Sequence, residues 1–159
     1  MRQAAQLLLT HGTRVLLCRH VSGVFAGRHT GIFAPVPPGD APRDALQRHA
    51  AALGLAVAPH AVQLRAIFVF AEADDDAGGP CEEHQFVAEH DAVAGGAPRA
   101  ADGVEPAWWQ RDALPFDRMP ADDALWYPRV LNGELLRGSF RFDGKAMLSA
   151  ELHRVRSLP

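Results

Sequence analysis

The chain opens with two apolar runs, AAQLLLT and TRVLLCR, separated by His11, Gly12 and Thr13, and this spacing predicts two strands paired around a tight turn. A glycine-bearing loop from Val21 to Gly31 follows, then the short run IFAPV and the turn Pro37-Pro38-Gly39. From Pro42 the period changes. Ala45, Leu46, His49 and Leu53 recur at helical spacing until Gly54, with a proline suited to a helix start and a glycine suited to its stop.

Beyond that helix, VQLRAIFVF is rich in β-branched and aromatic residues and reads as a strand. An acidic loop, EADDDAGGP, separates it from a further strand, HQFVAEH. The stretch AVAGGAPRAADG reads as loop, PAWWQ as strand, and DDALWYPRVLNG as a short amphipathic helix ending near Asn132-Gly133. SFRFDG and MLSAELHRV predict a closing hairpin. Two helices among seven or so strands, in mixed order, predict an α+β fold rather than a doubly wound sheet. With no repeat and no linker, residues 1–159 read as a single domain.

Composition narrows the function classes. A chain of 159 residues, 48% hydrophobic and 22% charged, is suited to one packed core. Cys18 and Cys81 give neither a disulfide framework nor zinc spacing, and without a secretory leader a cytoplasmic location is expected. The apolar runs are too short to span a bilayer, so no membrane association is expected. The net charge of −3 hides an asymmetry, because residues 1–70 hold seven arginines against only Asp40 and Asp44. That half is suited to receiving a small anion, although for any single arginine surface solvation is the simpler reading. One lysine, Lys145, and no basic run argue against a nucleic acid polymer as partner.

The chemistry turns on PPGDAPRDALQRHAAALGLAV, from Pro37 to Val57, because no Asp or Glu occurs between Asp44 and Glu72. The order of elements and this helix resemble the Nudix hydrolases, whose helix carries G-x5-E-x7-R-E-U-x-E-E-x-G-U with U a bulky aliphatic residue. The resemblance implies an α/β/α sandwich around a mixed β-sheet. Anchored on Gly54-Leu55, the family's glutamate positions fall at Arg48, Ala51 and Ala52. Anchored on Gly39-Asp40, they fall at His49, Ala52 and Leu53. In neither register does a glutamate remain. The family's glutamates share one helical face and hold Mg²⁺, a hard cation that needs oxygen ligands, against a diphosphate. Asp40 is the nearby carboxylate, and one ligand is too few. Metal-assisted attack of water therefore loses its scaffold, and no cofactor is expected unless the chain is an active divergent hydrolase using Mg²⁺.

A second likeness lies in EPAWWQRDALPFDRMPADDALWYPRVLNGELLRGSFRFDG, which is similar to the vertebrate-type, MutT-like 8-oxo-dGTP diphosphatases of that family. The resemblance implies that Asp122 and Asp123 read the edge of an oxidised purine and that Phe68 lines the pocket. Here Pro120 replaces the stacking tryptophan of the subfamily, and in Arg28-His29-Thr30-Gly31 its base-contacting asparagine becomes Thr30. A further metal-binding glutamate maps near Gly103, with Asp102 beside it. Capping of the helix N-terminus alone also explains Asp122 and Asp123. Trp108, Trp109, Trp126 and Tyr127 suit a core, although one of the strand tryptophans is placed to face a pocket. His84 reads as a packed or exposed histidine. His49 is a weak candidate for acid–base chemistry, and Arg48 with Arg28 for an anion.

Three classes of function follow. The chain binds or converts a small nucleotide-like or other anionic molecule without the family's metal chemistry; it is an active, divergent pyrophosphohydrolase on a nucleoside diphosphate derivative; or it is a repurposed, metal-independent enzyme of specialised metabolism.

Overall fold

The computed structural model describes residues 1–74, 78–90 and 97–159. Parts of the acidic loop after Glu72 and of the stretch beginning at Ala92 lie outside these residues. Nine strands and two α-helices occur among the described residues: β1 (Arg2–His11), β2 (Arg14–His20), β3 (His29–Thr30), β4 (Ile32–Val36), α1 (Pro42–Ala52), β5 (Gln63–Glu72), β6 (Cys81–Glu89), β7 (Val104–Gln110), α2 (Asp123–Leu131), β8 (Leu135–Asp143) and β9 (Ala146–Val155).

The opening hairpin forms as expected, with His11 opposite Arg14 and Gly12 at φ +60° in the turn. After that turn the two strands part. β1 continues between β4, antiparallel, and β6, parallel, while β2 pairs with β3 and β7. The sheet then runs from β6 through β5 to β8 and β9, with β5 and β8 parallel. The expected count of seven or so strands is corrected to nine, partly because His29 and Thr30, read as loop, pair with Arg19 and Cys18.

Alternation along β1 divides the core into two layers. Ala5, Leu7 and Leu9 face α1 with Ala45, Leu46 and Ala50, whereas Leu8 faces the opposite side with Phe68, Trp126 and Tyr127. A helix therefore covers each face of a mixed sheet, which is the α/β/α sandwich. α1 begins with Pro42 in its first turn and ends in a Schellman motif. In that motif Gly54 sits at φ +81°, its N–H donates to Ala51 O, and the Leu55 N–H donates to Ala50 O. Among the described residues no helix is long and apolar enough to cross a membrane.

Candidate functional site

Two cavities share Val24, Phe25, Phe33 and Pro35 in their linings. The larger, of about 620 Å³, lies on the α2 side and is walled by Phe25, Phe33, Phe70, Trp126 and Pro120. Its polar lining includes Asp122, Asp123, Glu83, Thr30 and Arg28. The smaller, of about 260 Å³, lies on the α1 side and includes Cys18, His20, His49, Leu53 and Asp102.

Asp122 and Asp123 open α2 and are each only 3% exposed. Asp122, at the N-cap position, makes no side-chain cap bond, so capping does not account for it, while Asp123 lies in the first turn. Asp122 Oδ2 instead accepts from Trp126 Nε1 at 2.7 Å, one helical turn on. Asp123 Oδ2 is buried with no hydrogen-bond partner. Burial raises both carboxyls above the usual range; the Trp126 bond partly offsets this at Asp122, whereas the neighbouring Asp122 charge raises Asp123 further.

A third carboxylate reaches the same cavity. Glu83 stands opposite Phe68 in the β5–β6 ladder and alongside Ala4 of β1, on the sheet face that α2 covers. Burial, with the Asp122 charge adding to it, pushes its carboxyl up to about 8. A chain of hydrogen bonds holds it there. The Tyr127 hydroxyl donates to Gln6 Oε1 at 2.5 Å, Gln6 Nε2 to Gln85 Oε1 at 2.8 Å, and Gln85 Nε2 to Glu83 Oε1 at 3.2 Å. Gly31 N–H also donates to Gln6 Oε1, at 2.7 Å. Burial and the Asp123 charge raise the Tyr127 hydroxyl, which keeps it a donor.

The other expected ligand contacts divide between the two sides. Thr30 lines the larger cavity, but its hydroxyl donates to Gly31 O at 2.7 Å and lies 2.8 Å from His20 Nε2. Arg28 lines it too, donating to Val24 O at 3.0 Å and covering the Phe25 ring. Phe68 is corrected from wall to support. It is fully buried against Trp126 and Phe140, and Phe70 lines the cavity in its place. Neither strand tryptophan lines either cavity: Trp108 packs on His11 and His90, and Trp109 on His29. His84 lies 2.8 Å from Glu82, packed beside Phe86.

On the α1 side, tertiary structure chooses between the two registers. His49 and Leu53, i and i+4, face the smaller cavity, and Ala50 between them is buried in the core. Arg48 and Ala51 point to solvent, which favours the register anchored on Gly39-Asp40. Arg48 is exposed and forms an ion pair with Asp40 at 2.5 Å, outside both cavities. The expectation that Arg48 joins Arg28 at an anion site is therefore corrected, and Asp40 is engaged as well. His49 donates from Nδ1 to Ala45 O at 3.1 Å, which leaves Nε2 for the cavity. Asp102 reaches that cavity through the Asp102-Gly103 turn, where both residues have positive φ and Ala101 pairs with Val104.

This donor set does not fit a divalent cation of the kind the helix motif holds. Hard cations need several oxygens, and the α1 face offers an imidazole and an isobutyl group. Among the described residues no group of three or more His, Cys, Asp or Glu is arranged to hold a metal.

The geometry is that of a Nudix fold, and comparison with known proteins agrees. The chain superposes on a MutT mutator protein from Bacillus halodurans with a TM-score of 0.80, over 96% of this chain and 97% of that one, at 19% identity. The Nudix domain of Shewanella oneidensis NrtR, solved with ADP ribose, matches with a TM-score of 0.60 over 82% of this chain and 85% of that one, at 17% identity. In sequence the chain is 30% identical over 155 residues to the oxidized purine nucleoside triphosphate hydrolase of Mus musculus, covering 95% of this chain and 94% of that protein. No family model matches. The chain belongs to the Nudix superfamily, among its MutT-like members.

Glu83, Gln85 and Gln6 are not singled out by the sequence; Tyr127 is buried as its core reading expects, but its hydroxyl also donates into this hydrogen-bond chain. A signal was present: Glu83 and Gln85 occupy alternate positions of one strand, so both point to one face, and polar residues on a core-facing strand position are unusual.

Proposed function

We propose that this chain holds a purine-nucleotide-like small molecule in the larger cavity and does not hydrolyse diphosphates by the metal-assisted route of its family. The observation that carries the reading is the face α1 turns to the smaller cavity, His49 and Leu53, with no carboxylate on α1 beyond Asp44. The larger cavity supports the ligand class. Its aromatic walls suit a flat ring. Asp122 and Asp123, side by side with their proton affinities raised, suit an edge carrying both donors and acceptors, since a protonated carboxyl donates and an ionised one accepts. The Mus musculus relative acts, by its name, on oxidised purine nucleoside triphosphates, which supports a ligand of related shape for the larger cavity here.

A second reading rests on His49 and Asp102 lining one cavity with the His49 Nε2 unused within the helix: metal-independent acid–base chemistry on the part of the ligand that reaches the smaller cavity. One experiment addresses both. Purified protein is incubated with nucleoside di- and triphosphates, 8-oxo-dGTP among them, with Mg²⁺, with Mn²⁺ and with chelator, and binding is followed by calorimetry. Saturable binding without metal-dependent product is expected. Metal-dependent turnover overturns the first reading; turnover that survives chelation and is lost in His49→Gln establishes the second.

A further inference from the structure

The larger cavity gathers three carboxylates where one face of a purine would need two. Asp122, Asp123 and Glu83 all line it, and among the described residues none of the ion pairs involves any of them. Arg28, the cation nearest in effect to the aspartates, is held by Val24 O and the Phe25 ring instead. Glu83 is not an incidental surface acid, because the Tyr127, Gln6 and Gln85 relay ends on it and orients its carboxylate. Asp123 Oδ2 is an independent sign that a donor belongs here, being buried at the cavity with nothing donating to it.

We propose that the larger cavity takes a ring carrying a delocalised positive charge and a row of N–H donors, a cyclic guanidinium or amidinium, with Glu83 as the third carboxylate that selects charge. The inference deepens the reading of this cavity as a base-binding site, on which it rests. Three like charges in a low-dielectric pocket do not all stay ionised alone, and each is relieved by a cation lying among them. The planar, delocalised form of the charge follows from the walls, since Phe33, Phe70 and Trp126 line the cavity and aromatic side chains attract a flat cation. Charge-assisted N–H donation to a carboxylate is stronger than its neutral counterpart. A neutral ring of the same shape therefore binds less well.

The test uses 2-aminobenzimidazole, protonated to a cyclic guanidinium, against 2-aminobenzothiazole, a neutral ring of the same size, each titrated into the protein by NMR, with 8-oxo-dGTP titrated in parallel. Preference for the cation by about tenfold or more is expected. In Glu83→Gln, whose amide still accepts from Gln85, that preference falls to about threefold or less while the neutral ring binds as before. A thermal melt checks that the variant is folded, and Glu83→Asp, which keeps the charge, retains the preference. Equal binding of the two rings, or an unchanged ratio in Glu83→Gln, overturns the inference. If 8-oxo-dGTP binds and the cation shows no preference, this inference falls and the nucleotide reading stands; if the cation is preferred and no nucleotide binds, the nucleotide reading falls; if nothing binds, both fall.

Discussion

Trp126 donates its indole N–H to Asp122 across one turn of α2, at 2.7 Å, in a site where both residues are almost fully buried. The bond fixes the carboxylate against an aromatic wall, and beside it Asp123 Oδ2 is buried at the cavity with no hydrogen-bond partner. In Trp126→Phe the ring volume largely remains and the donor is lost, leaving a buried acceptor unsatisfied. Unfolding in urea is expected to show a loss of about 1–3 kcal/mol, with ligand affinity reduced as well. A variant as stable as the parent means the bond does not hold Asp122 in solution.

The raised carboxyl of Glu83 sets a pH dependence. Its folded value, about 8, lies above the ordinary 4.5, so across that interval the folded state holds a proton that the unfolded chain has released. Stability therefore falls as pH rises through that window and is level below it. Asp122 and Asp123 are shifted in the same direction and add to the slope. A full proton corresponds to about 1.4 kcal/mol per pH unit, and Glu83 contributes less because it borders an open cavity. Glu83→Gln is expected to flatten the curve of stability against pH relative to the parent. Parallel curves for the two proteins refute the assignment.

Gly31 sits where β4 meets β1, and a Cβ there meets Leu7 O at 2.6 Å and Gln6 Oε1 at 3.1 Å. The first is backbone and the second is the centre of the relay to Glu83. Gly31→Ala is expected to cost about 1–3 kcal/mol as the strands separate and to weaken binding in the larger cavity. A melting temperature unchanged from the parent contradicts this packing.

Arg48 and Asp40 form an exposed pair outside both cavities. Arg48→Ala is expected to change stability by about 1 kcal/mol or less and to leave ligand binding untouched. A marked loss of affinity restores Arg48 as a site residue.

The register of α1 makes a constructive prediction. His49→Glu combined with Leu53→Glu places two carboxylates, i and i+4, toward the smaller cavity that Asp102 also lines. Burying charge at Leu53 lowers stability in the absence of metal. Added Mg²⁺ is expected to raise the melting temperature of the double variant and not of the parent, by about 2.7 kcal/mol of stabilisation at a hundredfold excess over Kd. No Mg²⁺ response in the variant rejects the register.

Much of this protein is legible in its sequence because local signals are short-range. The hairpin at Gly12, the proline start and Gly54 stop of α1, the closing strands and the two aspartates opening α2 all follow from periodicity and turn chemistry within a few residues. The short β3 was missed because two residues, His29 and Thr30, carry no periodicity, and only β2 beside them makes them a strand. The loss of carboxylates from α1 was plain as well. Which residues of α1 face the smaller cavity was not, since two anchors gave registers one residue apart; the burial of Ala50 under the sheet settles it on His49 and Leu53. Phe68 and Phe70 alternate along one strand, and sequence alone cannot say how deep each lies behind Trp126. Glu83 is the clearest case. It is 39 residues before Asp122 in the chain, and only the parallel pairing of β1 with β6 and the docking of α2 bring the two acids to one cavity. Contacts between distant segments are set by how whole elements pack, and no local pattern encodes them.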